Sequence, residues 1–136
     1  MVGISISFKI GEAYYVPLNH SNGKNLDEKN ILKILKPLLE DKTIKKIGQN
    51  IKFDYIIFYH RGIEMKFLED TMLMSYVLDA GKNKHNMDEL SKIHLDHQTI
   101  SYKDLVGTGK KQRTFDNVDI DQAKDYAAED ADVTYR

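Results

Sequence analysis

Residues 4–10 alternate apolar and polar side chains with a period of two. Apolar residues occupy positions 4, 6, 8 and 10, and a turn at Gly11-Glu12 separates them from a second apolar run that Pro17 closes. Successive side chains of a strand point to opposite faces, so this alternation predicts a β-hairpin with one buried face.

The rest of the chain has helical periodicity interrupted by two short apolar runs. The runs Ile44–Ile47 and Phe67–Leu68 are predicted as strands. Side chains suited to helix N-termini precede the helical stretches. The predicted caps are Asp27, Asn50, Asp70 and Asn86 (with Glu89 as a capping box). A further short helix is predicted to start at Ser101, and the last helix to open near Asp119 or Asp121. Pro37 should kink the first helix or end its regular hydrogen bonding. The chain thus begins with a hairpin, continues with alternating strands and helices, and ends mostly in helix. This order predicts a layered α/β domain.

Length, charge and cysteine content limit the kinds of protein that this chain can be. The chain has 136 residues, a formal net charge of −1 and no cysteine. One domain over residues 1–136 is therefore expected, without disulfides or a thiolate zinc site. No apolar run is long enough for a bilayer, and no signal peptide is recognisable, so we expect a cytoplasmic protein with no membrane partner. Nucleic-acid binding, if present, must be local or assisted by bound cations.

Two pairs of polar residues carry the candidate chemistry. Asn50 precedes Asp54 by four residues, and Tyr126 precedes Asp130 by four, so each pair is predicted to share one helix face. Two such acids, brought together by folding, would form half of a divalent-metal site for phosphodiester cleavage. The alternatives are structural: Asp54 would stabilise a helix dipole, and Asp130 would belong to a solvated acidic face.

Other polar segments are less specific. Gln49 and Asn50 fit either turn and cap chemistry or contacts to a phosphate, sugar or metal-bound water. The Gly107–Lys111 segment lacks the first glycine of a Walker loop, because position 104 is Asp. It is either a plain surface loop or a basic loop that touches a nucleic-acid backbone. The histidines lack zinc-site spacing and are interpreted as surface or structural residues.

Four segments in order resemble the 3′→5′ proofreading exonuclease domain of bacterial DNA polymerase I. They are Leu35–Asp41, Gly48–Asp54, Asp70–Leu73 and Tyr126–Asp132, and the resemblance extends over essentially the whole chain. It implies a ribonuclease H-like mixed sheet flanked by helices. It also implies two divalent metal ions, Mg²⁺ or Mn²⁺, and hydrolysis of the 3′-terminal phosphodiester of single-stranded DNA to nucleoside monophosphates. A polymerase domain in the full-length protein is the implied partner.

The resemblance also implies roles for individual residues. Asp54 matches the acid of the family's second motif, while Asp130 and Tyr126 match the final acid and the water-orienting tyrosine of the third. Gln49 and Asn50 match amides near the primer terminus. Tyr102 falls where the family commonly has a phenylalanine that packs against the terminal nucleotides.

One departure from the family limits this expectation. The family's first motif, an Asp-x-Glu on the first strand, supplies two more metal-binding acids, and this chain contains no Asp-x-Glu. We therefore expect an incomplete exonuclease domain, without the first strand and shortened at both ends, that is inactive alone. The alternatives are a non-catalytic exonuclease-like module that binds DNA or braces a polymerase, and a related exonuclease that acts on RNA.

Overall fold

The computed structural model describes all 136 residues and contains four strands and six α-helices. The strands are β1 (Gly3–Lys9), β2 (Glu12–Pro17), β3 (Lys46–Gly48) and β4 (Leu68–Asp70). The helices are α1 (Glu28–Glu40), α2 (Lys52–Tyr59), α3 (Thr71–Asp79), α4 (Met87–Leu95), α5 (Tyr102–Val106) and α6 (Ile120–Tyr135), with 3₁₀ turns at Gly109–Lys111 and Phe115–Asn117. β1 pairs with β2 antiparallel and β3 with β4 parallel, which confirms the α/β class.

The chain divides into two compact units. The first unit comprises Met1–Asp27 and His97–Arg136, and the second comprises Glu28–Asp96. A single domain over residues 1–136 stays a prediction, and each unit is described by itself below. No helix is both long and apolar enough to cross a membrane.

The first unit is built on the predicted hairpin, with α6 packed against both of its strands. The register pairs Gly3 with Pro17 and Ser7 with Ala13, and a bulge follows Ser7. A Cβ atom on Gly3 would lie 2.2 Å from the hydroxyl of Tyr15, so only glycine allows this side chain to cross the start of β1. The core beside the hairpin contains the buried residues Leu105, Val106, Val118 and Ala123, with Tyr15, Phe115 and Tyr126 packed against them.

A buried histidine ties the loop after β2 to this core. His20 is 5% exposed, and its Nδ1 donates to the carbonyl of Val118 at 3.2 Å. Its Nε2 accepts from the hydroxyl of Tyr15 at 2.7 Å. Burial raises the pKa of Tyr15 to about 12, so the hydroxyl remains a donor at neutral pH. His20 is therefore a structural residue, which is one of the two roles predicted for the histidines.

In the second unit, α1 continues to Glu40, three residues beyond Pro37. Pro37 therefore does not end the helix, although it supplies no N–H to the turn before it. A buried lysine satisfies the end of this helix: the ammonium of Lys46 donates to the carbonyls of Asp41 at 2.6 Å and Leu38 at 3.3 Å. Cations at a helix C-terminus compensate its unpaired carbonyls and its dipole.

The carboxylate of Asp70 joins the N-termini of two helices. Asp70 is buried at the end of β4, and it caps α3 as predicted by accepting from Met72 N at 2.9 Å and Leu73 N at 3.4 Å. It also accepts from the backbone N–H groups of Asn50 and Ile51, each at 3.0 Å. One side chain thus accepts four backbone N–H groups, two in the first turn of α3 and two just before α2.

The prediction that Asn50 caps α2 is wrong. Asn50 has φ of +58°, α2 begins at Lys52 after Ile51, and no side chain of either residue caps it. Asn50 lies outside the helix in a left-handed conformation that asparagine tolerates, so it does not share a helix face with Asp54. Asn86 accepts from Glu89 N at 2.9 Å as predicted, and Asp119 rather than Asp121 caps α6. Ser101 precedes α5 as predicted, and its side chain makes no cap hydrogen bond.

Helix α3 exposes most of its apolar side chains within this unit. Only Ser75 is buried, whereas Val77 is 81% exposed and Leu73 and Tyr76 lie mostly in solvent. With residues of α2 and β4, α3 lines an open groove of about 790 Å³.

Replacement of Asp70 by Asn tests its role as the link between two helix starts. The amide offers one oxygen where the carboxylate offers two, and it loses the charge that strengthens these bonds. We expect Asp70→Asn to lower the free energy of unfolding by about 2–4 kcal/mol, measured by urea denaturation. Asp79→Asn, at the other end of α3 in an exposed pair with Lys82, is the control and should change it little, because exposed ion pairs contribute little to stability. Equal effects of the two substitutions would contradict this role.

Candidate functional site

The two candidate residues near the C-terminus lie on one helix. Tyr126 and Asp130 are both in α6, one turn apart on the same face, as predicted, and both are partly buried. The turns of α6 that carry them are held by its packing on β1 and β2. The backbone therefore fixes the direction in which both side chains leave the helix.

The neighbouring acids of α6 have structural partners. Glu129 accepts from Nε2 of His97 at 2.8 Å and from the backbone N–H of Ile100 at 2.6 Å, which fastens the segment before α5 to the helix. Asp132 accepts from the backbone N–H of Gly11 at 2.6 Å and so holds the hairpin turn. The acidic run is thus more than a solvated face, because two of its members bind backbone groups far away in the sequence.

Three rings of the first unit form a cluster, which we call the aromatic cluster: Tyr102, Phe115 and Tyr126. The ring of Tyr102 stacks on Phe115, with centroids 6.3 Å apart and planes 18° apart. Tyr126 contacts both rings, at 5.9 Å from Tyr102 and 6.1 Å from Phe115. The structure therefore brings together two predicted residues, Tyr102 and Tyr126. The sequence analysis missed Phe115, since nothing in its local pattern distinguishes it from a core residue.

In the second unit, Gln49 and Asn50 are adjacent but differ in their surroundings. The amide of Gln49 is engaged inside the unit, since it accepts from the hydroxyl of Thr71 at 2.5 Å and donates to the carbonyl of His85 at 2.8 Å. Asn50 is exposed, and its side chain makes no hydrogen bond in the structure. Its backbone is fixed by Asp70, so its amide is held in place and open to a ligand.

Asp54 lies in the first turn of α2. The residue as a whole is exposed, but loss of water around the carboxyl raises its pKa above the ordinary value, and the charge of Asp70 adds to the rise. Its own backbone N–H opposes the rise. A first-turn acid that only stabilised the helix dipole would have a lowered pKa. Desolvation is thus the main influence on this carboxyl, and the role of Asp54 as a metal ligand stays a prediction.

The carboxylates do not form a complete metal centre. No group of three or more His, Asp or Glu side chains could hold a metal ion. Asp54 belongs to the second unit and Asp130 to the first, and their pairing at one site stays a prediction. Since hard cations need several oxygen ligands, these two acids would supply only part of such a centre.

Comparison with known proteins identifies the family. A family model described as 3′-5′ exonuclease matches residues 1–136. The chain is 50% identical to the DNA polymerase I of Rhizobium leguminosarum over 91% of its own length and 13% of the relative. It is 46% identical to the DNA polymerase I of Pseudomonas aeruginosa over 100% of its length and 16% of the relative. The DNA polymerase I of Borreliella burgdorferi is 39% identical over 100% of the chain and 14% of the relative.

The chain belongs to this 3′-5′ exonuclease family, because the family model matches its whole length. The resemblance drawn from its motifs is thereby confirmed. The chain spans only 13% to 16% of the length of these curated relatives, which are DNA polymerases.

The raised pKa of Asp54 predicts how the stability of the fold depends on pH. An acid with a raised folded-state pKa favours folding below its ordinary pKa, and this contribution is lost as pH rises through the folded-state value. Asp54→Asn removes the charge, so the variant should be at least as stable as the parent at pH 7, with the difference vanishing as pH falls below 4. Thermal melting from pH 3 to pH 8 measures it.

Glu40→Gln is the control of opposite sign. The backbone N–H of Glu64 lowers the pKa of Glu40, so Glu40 stabilises at neutral pH and loses this effect as pH falls through its folded-state pKa. This variant should therefore be less stable than the parent at pH 7 and equal to it in acid. A destabilised Asp54→Asn protein at pH 7 would show that Asp54 serves the helix instead.

Proposed function

We propose that this chain is the 3′-5′ exonuclease segment of a DNA polymerase I and takes part in hydrolysis of the 3′-terminal phosphodiester of single-stranded DNA. Nucleoside monophosphates are the products, and removal of misincorporated nucleotides during replication and repair is the role. The observation that carries this proposal is the match of the family model to residues 1–136. The resemblance of the segments around Asp54, Tyr126 and Asp130 to the family's motifs supports it. A polymerase domain in the full-length protein is the proposed partner.

Asp54 and Asp130 are the carboxylates that this chain contributes to the metal site. Two divalent ions, Mg²⁺ or Mn²⁺, are the proposed cofactors, and the remaining ligands come from an Asp-x-Glu that the chain does not contain. When bound, such ions lower the pKa of water and neutralise charge on the scissile phosphate. Asp130 lies on the rigid, well-packed α6, and Asp54 lies on a helix start that Asp70 fixes. Both carboxylates are therefore held by backbone that does not depend on the ligand.

Tyr126 is proposed to orient the attacking water. Its phenol is a poor base at neutral pH, because the ordinary pKa of tyrosine is near 10. It contributes by donating or accepting one hydrogen bond at the correct position. Phe115 and Tyr102 contact its ring from two sides, which restricts the positions that the hydroxyl can take.

The remaining residues are proposed to hold the strand. Tyr102 is 46% exposed and already stacked on Phe115, so one face of the ring is supported while the residue remains accessible to a terminal base. Asn50 offers an amide without an internal partner. Gln49 contributes to binding only if it exchanges its bond to Thr71 or His85 for one to the strand.

Supplying the absent acids tests the catalytic proposal. The 136-residue chain alone should release little mononucleotide from single-stranded DNA with Mg²⁺. A fusion that places a segment with the family's Asp-x-Glu motif ahead of residue 1 should gain activity. In that fusion, Asp130→Asn should reduce the rate by about 100-fold or more. Tyr126→Phe should reduce it by about fivefold, since one lost hydrogen bond is worth about 1 kcal/mol. Release of labelled mononucleotide is measured.

Controls come from the same helix. Asp125→Asn removes an exposed acid beside Lys124, and Tyr135→Phe removes a hydroxyl at the exposed end of α6. Neither should change the rate by more than about twofold. Vigorous hydrolysis by the chain alone would contradict the need for the Asp-x-Glu. Single-stranded RNA in place of DNA separates the DNA enzyme from a relative that acts on RNA.

A second candidate is a non-catalytic exonuclease-like module that binds DNA or braces a polymerase. The observation that favours it is the lack of any group of three metal-binding side chains together with the lack of an Asp-x-Glu. Mn²⁺ titration by calorimetry distinguishes the two. The Asp-x-Glu fusion is titrated. Mn²⁺ binding that is weakened by both Asp54→Asn and Asp130→Asn supports the exonuclease proposal, whereas the absence of Mn²⁺ binding supports the non-catalytic module.

Asn50→Gly and Gln49→Ala separate binding from stability. Glycine adopts the positive φ of position 50 without strain, so Asn50→Gly should leave the melting temperature nearly unchanged while weakening single-stranded DNA binding several-fold. Gln49→Ala removes two internal hydrogen bonds and should lower stability by about 1–2 kcal/mol. Fluorescence anisotropy and thermal melting give the two readouts. If the Asn50→Gly protein binds single-stranded DNA as tightly as the parent, the proposed role of Asn50 in binding is contradicted.

A further inference from the structure

We propose that residues 107–113, the basic loop, bind the phosphate backbone of the strand whose terminal base stacks on Tyr102. This inference rests on the proposed function and adds a second contact to it. The loop has the sequence Gly-Thr-Gly-Lys-Lys-Gln-Arg, with three cations and no acid, in a chain whose formal net charge is −1. It is therefore a local positive field of the kind that a polyanion needs on a nearly neutral protein.

Backbone bonds fix the base of the loop to the core. Arg113 N donates to the carbonyl of Val106 at 2.9 Å, and its guanidinium donates to the carbonyl of Leu105 at 3.0 Å. Leu105 and Val106 are both buried. Gly107, with φ of +79°, makes the turn out of α5, a conformation that residues with a Cβ rarely adopt. Arg113 thus serves as the anchor, and the two lysines at the tip remain for a ligand.

The ammonium groups at the tip have no internal partner. Lys110 and Lys111 are exposed, lie on the 3₁₀ turn Gly109–Lys111, and form no salt bridge or hydrogen bond in the structure. Lys124 of the same unit, in contrast, lies 3.3 Å from Asp121. An unpaired lysine binds phosphate without first breaking an ion pair, so its full charge is available to the strand.

In the sequence, the basic loop lies between the two residues whose rings stack on each other, Tyr102 and Phe115. Tyr102 begins α5, the loop follows the end of α5, and Phe115 lies two residues after Arg113. Five helical residues rise roughly 7.5 Å, which corresponds to about two phosphates at 3.4 Å per nucleotide. A strand with its end on Tyr102 therefore reaches the loop within a few nucleotides. An aromatic ring beside a basic surface is the usual combination in single-strand binding.

The salt dependence of binding tests the inference. A labelled oligothymidylate of about twelve nucleotides is titrated with the 136-residue chain in EDTA over a series of salt concentrations, followed by anisotropy. Each lost phosphate contact to a single strand lowers the slope of log K against log salt by about 0.7. Lys110→Ala/Lys111→Ala should therefore bind several-fold more weakly at low salt, with a slope smaller by about 1.4.

Two further variants separate charge from structure. Lys110→Arg/Lys111→Arg keeps both charges and should keep the parent slope. Lys29→Ala/Lys33→Ala removes two exposed lysines of α1 that form no salt bridge, and should leave slope and affinity unchanged. Melting temperatures of all variants should agree within about 2 °C, because the four lysines are exposed.

The outcomes distinguish this inference from the function on which it rests. If the parent binds the strand and the Lys110→Ala/Lys111→Ala protein shows the same affinity and slope, the loop is a plain surface loop and the inference is overturned, while the proposed function stands. An equal loss in the Lys29→Ala/Lys33→Ala protein would also overturn it, because the effect would then be nonspecific. If neither the parent nor the Asp-x-Glu fusion binds a single strand, the proposed function fails with it.

Discussion

The second unit depends on one buried carboxylate. Asp70 ends β4 and accepts four backbone N–H groups, two at the start of α3 and two just before α2. Such bonds from a charged acceptor are stronger than neutral ones, and a buried carboxylate without them would carry a large desolvation cost. Asp70 holds the backbone of Asn50 directly, and Asp54 follows in the first turn of the helix that starts after this segment. Burial is the main cause of the raised pKa of Asp54, and the charge of Asp70 adds to it, so Asp70 contributes to both the geometry and the electrostatics of this part of the chain.

In the first unit, several residues rather than one fix the backbone around the candidate site. Within the Tyr126–Asp132 segment, Glu129 and Asp132 bind backbone groups of other segments, whereas Tyr126 joins the aromatic cluster. A segment that looks like a single functional motif in the sequence therefore contains two kinds of residue. Acids that fix the backbone of α6 stand next to the acid proposed to bind metal. Glu129 and Asp132 are therefore expected to contribute to the stability of this unit whatever the role of Asp130.

Local signals in the sequence predicted the hairpin, the order of the helices, and the caps Asp70, Asn86 and Asp119, because each depends on neighbouring residues. These local signals gave wrong or missing predictions where a residue distant in the sequence determines the conformation or the contact. Asn50 has the ideal side chain for a cap, yet Asp70, twenty residues away in sequence, satisfies the N–H groups at this helix start. Asn50 is then displaced into the left-handed region. Phe115 was missed for the same reason, since its importance comes from rings thirteen residues before it and eleven after it. Periodicity describes which side of an element is apolar, and it contains no information about which distant residue approaches that side.

Charge distribution connects the two parts of the proposed mechanism. Carboxylates that hold metal ions also repel the phosphates that must approach them, and an overall charge of −1 supplies no attraction at a distance. Metal ions remove the repulsion only at the reacting phosphate. The rest of the strand must be attracted by groups outside the acidic region, and the unpaired lysines of the basic loop follow the ring that would hold the terminal base. A ring that stacks on any base, together with lysines that bind any phosphate, gives affinity without sequence preference, which an enzyme acting on every possible 3′ end requires.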